Sequence, residues 1–99
     1  MSVLIIGANG SMGTRYQSIL RFLEVPYACI DKNDPIPNKE FKGFIVATPT
    51  PTHYEYLKKL ALVGMPVLIE KPISTDLKEV KEIIDIYNYE DTPLTMMMQ

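Results

Sequence analysis

Val3-Leu4-Ile5-Ile6 is an unbroken apolar, mostly β-branched run that stops at Gly7 and passes into Ala8-Asn9-Gly10-Ser11-Met12-Gly13. A short strand without polar alternation is one buried on both faces, as in a parallel sheet. Residues 11–23 then place Tyr16, Ile19, Leu20 and Leu23 at helical spacing, with Arg15, Gln17, Ser18 and Arg21 on the other face. A doubly buried strand, a glycine-rich turn and an amphipathic helix make a βα unit. Such a unit needs further parallel strands beside it.

The rest of the chain supplies them. Residues 27–30 and 44–47 read as the second and third strands, the latter closed by Thr48-Pro49. Between them, residues 32–42 carry Asn33, Asp34, Pro35, Pro37 and Asn38, which is turn and extended chemistry. Thr50 or Thr52 is expected to cap a helix running to about Val63, with Tyr56, Leu57, Leu60 and Ala61 as its buried stripe and Gly64 as its stop. Residues 67–69 form the fourth strand. Asp76 followed by Glu79 has capping-box spacing at the head of a helix whose apolar face is Leu77, Val80, Ile83, Ile84 and Tyr87. Residues 94–98 complete the set as a last buried strand, whose alternating faces account for the methionines 96–98. No Cys–His cluster supports a metal there.

The order βαβ–loop–βαβαβ predicts an α/β fold, a Rossmann-like doubly wound parallel sheet of about five strands. Ligands of such sheets bind outside the carboxyl ends of the strands. Residues 7–13, Asp31, residues 48–53 and residues 70–72 all fall at those ends. The 99 residues are expected to form a single domain, 1–99. A net charge of −2 without a basic run argues against nucleic acid, and no stretch approaches the roughly 20 apolar residues of a membrane span. The lone Cys29 is expected in the core, which fits a reducing, cytoplasmic setting.

The spacing of Gly7, Gly10 and Gly13 allows a tight turn and lets backbone N–H groups approach a pyrophosphate at the helix N-terminus. Gly7, Asn9, Gly10, Ser11 and Met12 are therefore candidate cofactor-binding residues. The plain alternative is a glycine-rich βα turn that holds nothing. Asp31 closes the second strand near the spacing of roughly 20 residues expected for a ribose-binding carboxylate, which favours NAD. Lys32 beside it keeps NADP open. No Gly-Lys-Ser/Thr follows, so this is not a phosphate loop of the nucleoside-triphosphatase kind.

"ATPTPTHYEY" at 47–56 and "GMPVLIEKPIS" at 64–74 stand in order, about a helix apart, behind that glycine loop. This set resembles the glucose–fructose oxidoreductase / inositol dehydrogenase (Gfo/Idh/MocA) family over nearly the whole chain. The resemblance implies the NAD(P)-binding domain of an oxidoreductase acting on a sugar, cyclitol or related polyol. It makes Lys71 the catalytic lysine near the nicotinamide and the reacting carbon. Glu70 would position the nicotinamide ribose or Lys71, and Pro72 would fix the strand end, with a cis bond as one way to do so. Thr48 and Pro49 would line the cofactor, and His53 matches the family histidine at the start of the next helix. The chain departs from that family twice. Only about a dozen residues replace the usual helix, strand and helix after Asp31, which implies a sheet of order 2-1-4-5-6 with edge strand 3 missing and an adenine pocket short of one wall. The substrate domain expected beyond Gln99 is not in this sequence, which reads as a fragment, as a reduced natural protein, or as one half of a site that another chain or domain completes. The alternatives are a non-catalytic NAD(P)-binding module or partner subunit, and a structural relic without ligand.

Overall fold

The computed structural model of the chain describes residues 2–31 and 33–97. Five parallel strands, β1 (Ser2–Ile6), β2 (Tyr27–Ile30), β3 (Phe41–Val46), β4 (Val67–Glu70) and β5 (Leu94–Met97), form one sheet in the order β2-β1-β3-β4-β5. In the numbering of a complete six-strand Rossmann sheet this is the expected 2-1-4-5-6. Residues 33–40 cross directly from β2 to β3 in place of the edge strand and its helices.

Side chains alternate across the sheet and build two unequal cores. Leu4, Ile6, Phe44, Val46, Val67 and Ile69 point to one face, where α2 (His53–Ala61) and α3 (Leu77–Glu90) cover them with Leu57, Leu60, Ile83 and Tyr87. The Tyr87 hydroxyl donates to the Leu57 carbonyl at 2.7 Å, and the buried Thr92 hydroxyl donates to the Ala61 carbonyl at 2.7 Å. These bonds lock α3 to α2. The opposite face holds Ile5 and Ile45, covered by α1 (Ser11–Phe22) alone through Gly13, Tyr16 and Leu20.

That asymmetry explains several departures from expectation. A single helix on a face buries only a narrow i, i+3, i+7 stripe, so Ile19 and Leu23 lie 45% and 59% exposed. Cys29 is exposed, not in the core, because β2 is the outermost strand and α1 does not extend over it. Met96 and Met97 are likewise exposed on the other edge strand, β5, and Met98 lies outside the described residues. Leu77 is exposed and Ile84 half-exposed, leaving Ile83 and Tyr87 as the buried residues of α3. β3 starts at Phe41, three residues before its expected start, because Phe41 packs into the core edge-on to Phe44 with ring centroids 5.8 Å apart.

Capping also differs in detail. Asp76 caps α3 by accepting from the Lys78 N–H at 2.8 Å. Glu79 instead accepts from the Ser74 hydroxyl at 2.6 Å, and Ser74 Oγ accepts from the Asp76 N–H at 3.0 Å, so the box closes through Ser74. A 3₁₀ turn at Thr50–Thr52 precedes α2, and neither threonine caps with its side chain. Thr52 Oγ1 lies 2.6 Å from both Thr48 Oγ1 and the Pro49 carbonyl oxygen. No helix among the described residues is long and apolar enough to cross a membrane.

Candidate functional site

The carboxyl ends of β1, β2 and β3 converge on Gly7. Its N–H donates to the Ile30 carbonyl at 2.8 Å, and its φ of +91° is one that side-chain-bearing residues rarely adopt. A Cβ there would fall 2.9 Å from the backbone of Ala47. Gly13 is tighter still: a Cβ would sit 2.2 Å from the Gly7 carbonyl oxygen and 2.7 Å from the Ala8 α-carbon. Gln17 secures the loop from the next turn, its amide donating to the Ala8 carbonyl at 3.0 Å.

Gly10 is different. The nearest atoms to its missing Cβ are the Gly7 and Ala47 carbonyl oxygens, at 3.8 and 4.0 Å. It caps α1, whose first turn carries no acidic residue, and it faces a cavity of about 310 Å³. That cavity is lined by Gly7, Asn9, Gly10, Asp31, Asn33, Ala47, Thr48 and Pro49. The N-terminus of α1 borders it through its cap Gly10, and the partial positive charge of a helix N-terminus is the chemistry that accepts a phosphate anion. Ser11 begins the helix and is exposed, while the Met12 side chain packs toward the α1-side core. Asp31 faces the loop from β2: the Asn9 side-chain amide donates to its carboxylate. Its own N–H donates to Asp34 Oδ2 at 2.9 Å, and the Asp34 N–H donates to the Asp31 carbonyl at 3.0 Å, so the turn after β2 presents the carboxylate in a fixed setting. Lys32, expected to bear on NAD against NADP, lies outside the described residues.

His53 does not present its ring to this crevice. It is 1% exposed, with Nε2 2.8 Å from the Thr48 carbonyl oxygen and Nδ1 2.9 Å from the Pro72 carbonyl oxygen. Its imidazole braces the loop after β3 against the loop after β4. The expectation of a cofactor-contacting histidine becomes that of a residue holding two site loops together.

At the end of β4, Glu70 is half-buried and Lys71 exposed, and the Lys71–Pro72 peptide is cis. The Lys71 N–H donates to the Met97 carbonyl at 3.2 Å, which anchors this strand end to β5. Glu70 Oε1 accepts from the Tyr16 hydroxyl at 2.9 Å. Burial first, and then Glu70, push the Tyr16 hydroxyl up to about 12, so it stays protonated as a donor. Sequence reasoning treated Tyr16 only as part of an apolar stripe; its polar tip at a buried helix position was the available signal. Asn33 and Asp34 were also missed as site residues. They line a neighbouring cavity of about 550 Å³ where residues 33–36 face Pro51, Glu55, Tyr56 and Lys59. The direct crossing thus rebuilds a wall on the side where the edge strand is missing. Among the described residues no cluster of His, Cys, Asp and Glu suits a metal ion.

Comparison with known proteins places this geometry. The profile of the GFO/IDH/MocA oxidoreductase family, described as an NAD-binding Rossmann fold, matches residues 17–97. The rhizopine catabolism protein MocA of Rhizobium meliloti is 34% identical over 53 residues, 54% of this chain and 17% of that protein. Inositol 2-dehydrogenase of Rhodococcus jostii (strain RHA1) is 37% identical over 54 residues, 54% of this chain and 15% of that protein. The crystal structure of the WlbA dehydrogenase from Chromobacterium violaceum, in complex with NADH and UDP-GlcNAcA, superposes with a TM-score of 0.82 at 13% identity, over 98% of this chain and 34% of that one. UDP-N-acetylglucosamine 3-dehydrogenase GnnA from Acidithiobacillus ferrooxidans gives 0.79 at 20% identity, over 97% of this chain and 37% of that one. The chain therefore spans about a third of these solved relatives, and with 81 of its 99 positions inside the family profile it belongs to the GFO/IDH/MocA family of oxidoreductases with an NAD-binding Rossmann fold.

Proposed function

We propose that this chain is the nucleotide-binding part of an NAD(P)-dependent oxidoreductase that acts on a sugar, cyclitol or related polyol. The observation that carries the reading is the crevice in which Gly10 opens over the N-terminus of α1 while Asp31 faces it from the neighbouring strand. Gly7, Asn9, Gly10, Ser11 and Met12 hold the pyrophosphate, largely through backbone N–H groups. Asp31 accepts the adenosine ribose hydroxyls, which favours NAD. Thr48 and Pro49 line the path toward the ends of β3 and β4. His53 fixes that path from below.

When bound, the nicotinamide supplies the hydride acceptor or donor. The chain's own part is to hold the substrate oxygen near Lys71, whose ammonium polarises it and takes part in moving its proton, with Glu70 orienting the reacting end. The substrate class follows the names of the relatives, an inositol dehydrogenase and a nucleotide-sugar dehydrogenase, both acting on hydroxylated rings. The remaining substrate contacts come from another domain or chain. In such an assembled enzyme Lys71→Ala is expected to lower kcat by ~10²–10⁴-fold, the usual contribution of an acid–base group, with NAD affinity little changed. Steady-state kinetics with a cofactor titration of the same variant decide it; full turnover would reduce Glu-Lys-Pro to a strand terminator.

A further inference from the structure

Tyr16 has no part in the reading above. Its ring is 5% exposed between α1 and the sheet, packed with Ile5, Ala8, Leu20 and Ile45. A phenyl ring would fill the same space. The hydroxyl is therefore the part of this side chain that packing does not need, and it is aimed at Glu70 Oε1, 2.9 Å away. α1 follows β1, whereas Glu70 ends β4, and β3 lies between them. The bond thus reaches across the mouth of the sheet, past the end of β3. One of its ends is on the helix whose N-terminus faces the crevice, and the other is on the carboxylate next to Lys71. On the same helix, Gln17 holds the glycine loop through the Ala8 carbonyl. Two adjacent residues of α1 thus hold the glycine loop and the end of β4.

We propose that Tyr16 is a positioning residue for the nicotinamide half of the site: by donating to Glu70 it fixes that carboxylate beside Lys71 and ties the ligand's reacting end to the helix that holds its phosphates. The proposal rests on the reading of Glu70 as a nicotinamide-side residue. Each bond that fixes a glutamate side chain before the ligand arrives lessens the ordering left to binding, and ordering on binding would weaken the complex. A hydroxyl donor at hydrogen-bond distance supplies such a bond. It also leaves the carboxylate an acceptor, as the ribose hydroxyls of a nicotinamide nucleoside require.

The test compares NAD⁺ with ADP, which keeps the adenosine and both phosphates but lacks the nicotinamide and its ribose. Calorimetric titrations are run on the wild-type chain, Tyr16→Phe, Glu70→Ala, Glu70→Gln and the Tyr16→Phe/Glu70→Ala double variant, with circular dichroism of each. Tyr16→Phe is expected to lower NAD⁺ affinity about threefold to tenfold more than ADP affinity, the range for losing one ordinary hydrogen bond, since the bond acts on the ligand only through the placement of the Glu70 carboxylate. In the Glu70→Ala background the same substitution should change the NAD⁺/ADP ratio by less than about twofold, because the two residues act through one bond. Glu70→Gln, which keeps an acceptor for Tyr16, should fall between wild type and Glu70→Ala. A ratio unchanged by Tyr16→Phe but lowered by Glu70→Ala overturns the role of Tyr16 and leaves the site reading intact. Equal losses for both ligands show a packing role and also overturn it. An unchanged ratio in Glu70→Ala, or no binding of either ligand by the folded wild-type chain, removes the site reading and Tyr16 with it.

Discussion

Gly13 packs so closely on Gly7 that a methyl group at position 13 would lie 2.2 Å from the Gly7 carbonyl oxygen. The glycine loop is closed by its first and last members, and its middle member faces open space. Gly13→Ala must therefore displace backbone, and overpacking of this kind costs about 1–3 kcal/mol. Gly10→Ala meets nothing nearer than 3.8 Å and has an extended backbone that any residue adopts. Its stability should stay within about 0.5 kcal/mol of wild type. Urea unfolding of the two variants checks the contrast. Equal stabilities would mean that the close packing of Gly13 on Gly7 does not hold in solution.

His53 ties the Thr48 and Pro72 carbonyls together from inside the protein. His53→Phe keeps a ring of similar size and removes the N–H that one of these buried carbonyls accepts, the tautomer deciding which. A buried polar group left unsatisfied costs about 1–3 kcal/mol, so a loss of that size is expected in denaturant unfolding. Cofactor affinity should fall as well, because Thr48 lines the crevice. A variant as stable as wild type would show that water replaces the ring without penalty.

In the proposed reading the Asp31 carboxylate, which accepts from Asn9 while the Asp31 N–H is held by Asp34, discriminates between cofactors. Asp31→Ala should weaken NAD more than NADP, since a carboxylate accepts ribose hydroxyls and repels a 2′-phosphate. Parallel titrations of both cofactors read this directly. An unchanged NAD/NADP ratio would take Asp31 out of the site.

Much of this architecture was legible because parallel strands advertise themselves. The runs at 3–6, 27–30 and 44–47 needed no partner to be recognised, right-handed crossovers left few topologies, and the strand order followed from the family resemblance with its edge strand missing. Gly7 and Asp31 could be placed together because both end a strand. Exposure was harder to read. Cys29, Met96 and Met97 lie on strands that became the two edges of the sheet, and their apolar character gave no sign of it. Ile19 and Leu23 satisfied helical periodicity, yet a lone helix on its face had no second neighbour to cover them. The bonds of His53 and Tyr16 were not legible for one reason. The histidine was read from its motif, and the tyrosine from its stripe, while their roles depend on bonds to residues 19 and 54 positions away.

The central claim is that the crevice beside Gly10 takes the dinucleotide. The chain contains no tryptophan, so bound NADH can be followed by its own nicotinamide emission without transfer from that residue. Titrating NADH into the wild-type chain and into Gly10→Val, with circular dichroism of both, is the most direct measurement. The account predicts saturable binding by the wild-type chain in the micromolar to millimolar range. It predicts loss of that binding in Gly10→Val with the fold intact, because the branched side chain fills the approach of the phosphates. No saturable signal from a folded wild-type chain, or equal binding by the valine variant, would contradict it.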